Sequence, residues 1–140
     1  MDNKALQLLG ICRKAGKIAA GEEPVGTEVR AGHARLILVA HDAADRTFRR
    51  ARSFSETGKC AFIRVPFTRE EMGAVLGRQT CALAAITDVC LAQSFVRALG
   101  QPEKYADLQA DLDRRADRVA QRRREEQIHR KKLQHHGKKS

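Results

Sequence analysis

Along the first hundred residues, apolar positions at helical spacing alternate with short unbroken apolar runs, and this alternation predicts a layered α/β domain. Ala5, Leu8, Leu9 and Cys12 repeat at steps of three and four, so the opening segment reads as a helix with one buried stripe. It ends at Ala15-Gly16, with Arg13 and Lys14 in a last turn whose dipole favours cations. The short run Ile18-Ala19-Ala20 leads to Gly21 and a second helix from about Glu22 to Ala31, closed by Gly32. Pro24 suits its first turn, and Glu22 and Glu23 suit its positive end. Leu36 to Ala40 has no polar alternation, the pattern of a strand covered on both faces. Asp42 is expected to cap a helix that carries Phe48, Arg49, Arg50, Arg52 and Phe54 and stops at Gly58. A strand from Cys60 to Val65 stops at Pro66, and Thr68 with Glu71 makes a capping box for a short helix ending at Gly77. Ala82 to Ile86 reads as the last strand, and Asp88 caps a helix through Leu99. The expected fold is α/β: a three-layer α-β-α sandwich with a small mixed sheet, followed by a basic, charged C-terminal helical tail.

The chain changes character at Gly100-Gln101-Pro102, where a helix stop meets a helix start, so residues 1–100 are read as the domain and 101–140 as the tail. In the tail, Tyr105, Leu108, Leu112, Ala116 and Val119 form a helical stripe, and Asp111 with Arg115 and Glu126 with Arg130 add i,i+4 support. Beyond Val119 the stripe thins to Ile128 and Leu133, so the helix is expected to project and to be partly disordered at its end, toward Gly137, unless a partner orders it.

Charge sharpens this picture. The 140 residues include 27 Lys or Arg against 17 Asp or Glu, a net charge of +10. From Arg114 onward the tail carries 11 basic residues against Asp117, Glu125 and Glu126. Within the domain, Arg13, Lys14 and Lys17 cluster near one turn, Arg46, Arg49, Arg50 and Arg52 line one helix, and Arg78 precedes the last strand. Such clusters neutralise phosphates and release counterions, which gives affinity for nucleic acid without reading its sequence. In the tail, Arg122, Arg123, Arg124, Arg130, Lys131 and Lys132 are the candidate contacts. Aromatic residues make up only 4%, too few for a base-stacking platform.

Other functions lack support. No apolar run approaches the roughly 20 residues that span a bilayer, and the N-terminus lacks a signal-peptide layout, so a cytoplasmic chain without membrane contact is expected. Cys12, Cys60, Cys81 and Cys90 form no Cys-x-x-Cys pair and sit among apolar neighbours, which reads as four small buried hydrophobes rather than a metal site. Neither a phosphate-binding loop nor a dinucleotide fingerprint occurs, and no cofactor is expected. His41-Asp42 lies at a strand end without a nucleophile, leaving an enzyme the least supported class.

The segment Arg13-Lys14-Ala15-Gly16-Lys17-Ile18-Ala19-Ala20-Gly21-Glu22-Glu23, followed by Leu36 to Ala43, Gly77 and Ala84-Ala85-Ile86-Thr87-Asp88, resembles the ribosomal protein superfamily that includes L-seven-Ae and L-thirty-e, and within it the bacterial YlxQ-type branch. The resemblance spans about residues 3 to 99 and leaves the tail outside. It implies an α-β-α sandwich, no catalysis, and binding to ribosomal or other structured RNA, often at kink-turns, in translation or on the ribosome. It also implies an RNA face made by the N-terminus of the second helix, beginning at Gly21, and by an apolar loop near Gln79 to Leu83. Carried onto this chain, Arg13, Lys14, Lys17, Gly21, Glu22, Glu23, Thr27, Arg78, Thr80 and Leu83 become the candidate RNA-binding residues, with the tail as an electrostatic clamp. The chain departs from the family motif Gly-x-Asn-Glu-x-x-Lys at Glu23, Pro24 and Thr27. The competing expectation is a protein-interaction module whose stripe from Tyr105 to Val119 docks into a partner's groove.

Overall fold

The computed structural model describes residues 3–137. In chain order its elements are α1 (Lys4–Lys14), β1 (Ile18–Ala20), α2 (Glu22–Arg30), β2 (Leu36–Val39), α3 (Asp45–Gly58), β3 (Ala61–Arg64), α4 (Arg69–Leu76), β4 (Leu83–Ile86), α5 (Val89–Ala98) and α6 (Ala106–Gly137). The strands form one mixed sheet in the order β1-β4-β2-β3, with β4 antiparallel to both β1 and β2 and β2 parallel to β3. The three-layer α/β sandwich expected from periodicity is what forms.

Period-two alternation divides β2 between two cores. Leu36, Leu38 and Ala40 face a cluster with Leu9, Met72, Phe95 and Leu112, contributed by α1, α4, α5 and α6. Ile37 and Val39 face a second cluster with Val25, Val29, Ala51 and Phe54 of α2 and α3. Caps written in the sequence are made as expected: Thr68 and Glu71 close a capping box on α4, and the Asp88 carboxylate accepts from the Leu91 N–H at 2.9 Å. Asp42 behaves differently, because the chain turns through 41–44 before α3 starts and Ala44 takes the cap position. The Asp42 carboxylate instead accepts the backbone N–H of Arg69 at 2.8 Å, satisfying a free donor in the first turn of α4. That bond, more than the Arg69 guanidinium beside it, holds the Asp42 carboxyl below its usual range.

The tail also departs from expectation. Tyr105, Leu112 and Ala116 are buried and Leu108 is half-buried, all against the domain, so the stripe proposed as a docking surface is consumed by the protein's own core. Asp113 accepts from the Gln93 amide at 2.7 Å and from Gln109 at 3.0 Å, with Arg97 at 3.5 Å. The Gln93 bond is the chief reason its carboxyl sits below the usual range. Asp113 opposite Gln93 and Val119 beside Val89 show that α6 runs back antiparallel along α5. From Ala120 to Gln134 every residue is exposed. α6 is helical to Gly137, the stretch over which fraying is expected, and residues 138–140 lie outside the described residues.

Cys12, Cys60 and Cys81 are buried as expected, but Cys90 is exposed on α5 and is not a core residue. Burial pushes all three buried thiols up, Cys12 to about 11, aided by the nearby Asp88 charge.

Candidate functional site

Strand directions decide which candidate residues meet. Gly21 follows β1, and its N–H donates to the Leu83 carbonyl at 2.8 Å, so Gly21 sits at the end of the sheet where β4 begins. Lys17 precedes β1, and its carbonyl accepts from Thr87 at 2.9 Å, at the end where β4 finishes. The candidate set therefore splits between two ends about 10 Å apart along the strands.

At the Gly21 end, the Arg78 Nη1 donates to the Ala20 carbonyl at 2.7 Å. Its guanidinium lies over Gly21 so closely that a Cβ there would fall 2.9 Å from Nη1. Gly21 also has φ of +97°, a region that L side chains rarely adopt. Glycine is thus favoured by the backbone, and a side chain there would also displace the guanidinium. No side chain caps α2, which leaves N–H groups of its first turn open beside a fixed cation. Pro24 removes one such donor without loss, since the position has no intrahelical acceptor.

Arg78 is held from behind by α4. A Cβ on Gly73 would lie 2.8 Å from both the Arg78 carbonyl and the Thr80 Cα, so only glycine lets the 78–80 loop pack directly on the helix. Arg78, Gln79 and Thr80 are exposed, whereas Cys81 turns inward. Leu83, expected to present an apolar contact, is 3% exposed within the second core, and only its carbonyl serves this end. The loop offers polar groups where an apolar tip was expected. The Arg13 guanidinium packs against Gly77, just before Arg78, while Lys14 is exposed at the end of α1.

The two carboxylates of α2 have different settings. Glu22 pairs with the Nε of Arg50 at 2.8 Å, and Glu23 is exposed. Thr27 turns its hydroxyl onto the Glu23 carbonyl at 3.1 Å. Sequence spacing could not reveal the Glu22 pair, because the two helices meet only through the fold. Arg46, Arg49, Arg50 and Ser53 of α3 line a groove of about 350 Å³ with Glu22. Among the described residues, no carboxylate lies within ion-pair distance of Arg46, Arg49 or Arg78. The Gly21 end is thus a cationic surface running from the 78–80 loop past the start of α2 onto α3. The α3 arginines, which as a charge run could equally have been a solvated face, become part of it through Glu22.

The tail residues Arg122, Arg123, Arg124, Arg130, Lys131 and Lys132 lie on the exposed part of α6. The direction of α6 carries them past the end of the sheet opposite Gly21. His41 is exposed with its N–H donated to the Phe67 carbonyl, and Asp42 is committed to Arg69. Among the described residues no group of side chains could hold a metal ion, and no helix is long and apolar enough to cross a membrane.

Comparison with known proteins bears on this geometry. The sequence profile described as the ribosomal protein L7Ae/L30e/S12e/Gadd45 family matches residues 3–94. The chain is 33% identical over 96 residues to the RNA-binding protein YlxQ of Bacillus subtilis, covering 66% of this chain and 91% of that protein. It is 29% identical over 79 residues to a YlxQ of Enterococcus faecium, covering 54% and 72%. A protein of unknown function from Bacillus halodurans superposes with a TM-score of 0.64 at 21% identity, over 71% of this chain and 99% of that one. The Giardia lamblia 15.5kD RNA binding protein superposes at 0.55 and 18% identity, over 71% and 84%. These two likenesses concern the fold alone.

Proposed function

The chain belongs to the ribosomal protein L7Ae/L30e/S12e/Gadd45 family, as a YlxQ-type member, and from that premise we propose that it is a non-catalytic protein that binds structured RNA, ribosomal RNA foremost, through the Gly21 end of its sheet. The observation that carries this reading is the Arg78 guanidinium fixed over Gly21 beside the uncapped N-terminus of α2. A guanidinium and open backbone N–H groups converging on one point make an anion site suited to a phosphodiester. The α3 groove extends it: Arg46 and Arg49 would follow the backbone, while Arg50 offsets the Glu22 carboxylate that would otherwise repel it.

The same geometry argues against the usual kink-turn contact. Glu23 stands where the family motif has an amide, and Thr27 spends its hydroxyl on the helix backbone. Recognition would therefore rest on backbone shape and phosphate position, with Gln79 and Thr80 as the polar groups able to reach a base edge.

The test is crosslinking of the full chain to RNA in cells with sequencing of the recovered RNA, beside Arg78→Glu and Arg49→Glu variants. A defined ribosomal RNA site that is lost in both variants supports the reading. Equal recovery by the variants would place recognition elsewhere, and no enrichment by the wild type would remove RNA binding altogether. Full-length protein is needed, because cutting at residue 100 would strip Tyr105 and Leu112 from the core.

A further inference from the structure

The end of the sheet opposite Gly21 carries a second cationic surface that lies largely outside the family match, which stops at residue 94. Arg35 stands just before β2, with its N–H on the Ile86 carbonyl at 2.9 Å, and Lys17 flanks the exit of β4 on the other side through Thr87. Here α6 leaves the domain. Arg35 and Val89 from the domain, with Asp111, Arg115, Arg118, Val119 and Arg122 from α6, line a cleft of about 370 Å³. Its cations come from two parts of the chain that only the docking of α6 brings together.

Most acidic groups at this end are occupied, the exposed Asp117 of α6 excepted. Asp111 pairs with Arg115 at 3.0 Å and with Arg114 at 3.4 Å, Asp88 caps α5, and Glu28 bonds His33 at 3.0 Å. Among the described residues, no carboxylate lies within ion-pair distance of Arg35, Arg118 or Arg122. Arg35 is also fixed in place, because its Nη1 donates to the Gly32 carbonyl at 2.9 Å. From Ala120 to Gly137 the helix extends about 27 Å at the rise of an α-helix and carries, beyond Arg122, five further cations against Glu125 and Glu126.

We infer that this cleft is a second binding site for an RNA phosphate backbone, facing away from the Gly21 end, so that one molecule bridges two separate backbone segments. The inference rests on the RNA-binding reading above and adds a second contact with opposite direction. Three arginines without a carboxylate partner converging on one cleft, continued by a basic helix, match a polyanion that runs along the helix rather than a single small anion. Sequence discrimination is left to the Gly21 end, since the cleft offers guanidinium groups and no base-reading amide.

Bridging is the property to measure, with fragmented ribosomal RNA as the probe. One aliquot is biotinylated and held on beads, a second is labelled with fluorescein, and the full chain is added. Anisotropy of the labelled RNA reports binding, and labelled RNA kept on the beads in a protein-dependent way reports bridging. The variant Arg35→Gln/Arg118→Gln/Arg122→Gln changes exposed or half-buried positions, and far-ultraviolet circular dichroism checks that α6 stays helical. The expected result is loss of bead retention with RNA still bound, and a log–log salt slope shallower by about 2–3 units, near 0.7–0.9 for each phosphate contact removed. Retention that survives in the variant overturns the inference, as does wild-type protein that binds RNA without bridging. Wild-type protein that shows no anisotropy change removes the RNA-binding reading itself and the second site with it.

Discussion

Replacing a glycine inside a helix with alanine gains about 1 kcal/mol of intrinsic propensity, and three glycines in helix interiors, Gly10, Gly26 and Gly73, differ in the steric term set against that constant. A Cβ at Gly10 of α1 would meet nothing within 4 Å. At Gly26 of α2 it would lie 3.0 Å from the Arg30 Nη1 and 3.2 Å from the Phe54 ring, both side chains that can give way. At Gly73 of α4 it would lie 2.8 to 2.9 Å from backbone atoms of Arg78, Gln79 and Thr80, which cannot move without shifting the loop. Overpacking against backbone costs about 2–3 kcal/mol, the upper part of the range for inserted methyl groups. Gly10→Ala is then expected to gain about 0.5–1 kcal/mol, Gly26→Ala to be near neutral as propensity and crowding offset, and Gly73→Ala to lose about 1–2 kcal/mol net. For a chain of this size 1 kcal/mol moves the melting temperature by about 3 °C, so calorimetry separates the three. Because the Gly73 variant displaces Arg78, it is also expected to weaken RNA binding, whereas Gly10→Ala is not. A Gly73→Ala protein as stable as wild type would refute the claim that the loop rests directly on α4.

Leu112 is 1% exposed between α6 and α5, so Leu112→Ala is expected to cost about 2–4 kcal/mol by urea unfolding, while Leu133→Ala, 57% exposed, stays within about 0.5 kcal/mol. An equal effect of the two would mean that α6 is not docked. The Asp42 carboxyl is held below its ordinary 3.8 chiefly by the Arg69 N–H, so its stabilisation is present above that pH and is lost as pH falls through the lower native value. Urea midpoints between about pH 2 and 5 are therefore expected to fall less steeply with acid in Asp42→Ala than in wild type.

What the sequence made legible was local. The capping box at Thr68 and Glu71, the Asp88 cap and the unalternated run from Leu36 each depend on residues within a few positions, and each forms as read. Asp42 was misread because its partner Arg69 is 27 positions away and reachable only after β2 and β3 pair. Lys17 and Gly21 are four residues apart and read as one cluster, yet β1 sends them to opposite ends of the sheet. The family resemblance assigns Leu83 to the RNA face, whereas the apolar run from Ala82 to Ile86 already places it in the last strand, where it is buried. Gly73 carried no signal, since its role lies in what packs above it. The stripe on α6 was legible as apolar, but nothing in its own spacing could identify α5 as its partner.

The docking of α6 also sets an order of events in synthesis. Tyr105 and Leu112 complete a core whose other fully buried members all precede residue 97. A ribosome adding about 5–20 residues per second needs about 1–3 s to pass from Gly100 to Ala116. Until that stretch is available, the face of α5 that α6 covers, Val96 included, has no partner. The cationic stretch from Arg122 follows the apolar seam in the chain, so the seam has the sequence it needs to close before that charge is added. A stalled or prematurely terminated chain would hold the sheet and five helices but expose that seam, which marks it for chaperones and proteases rather than for RNA.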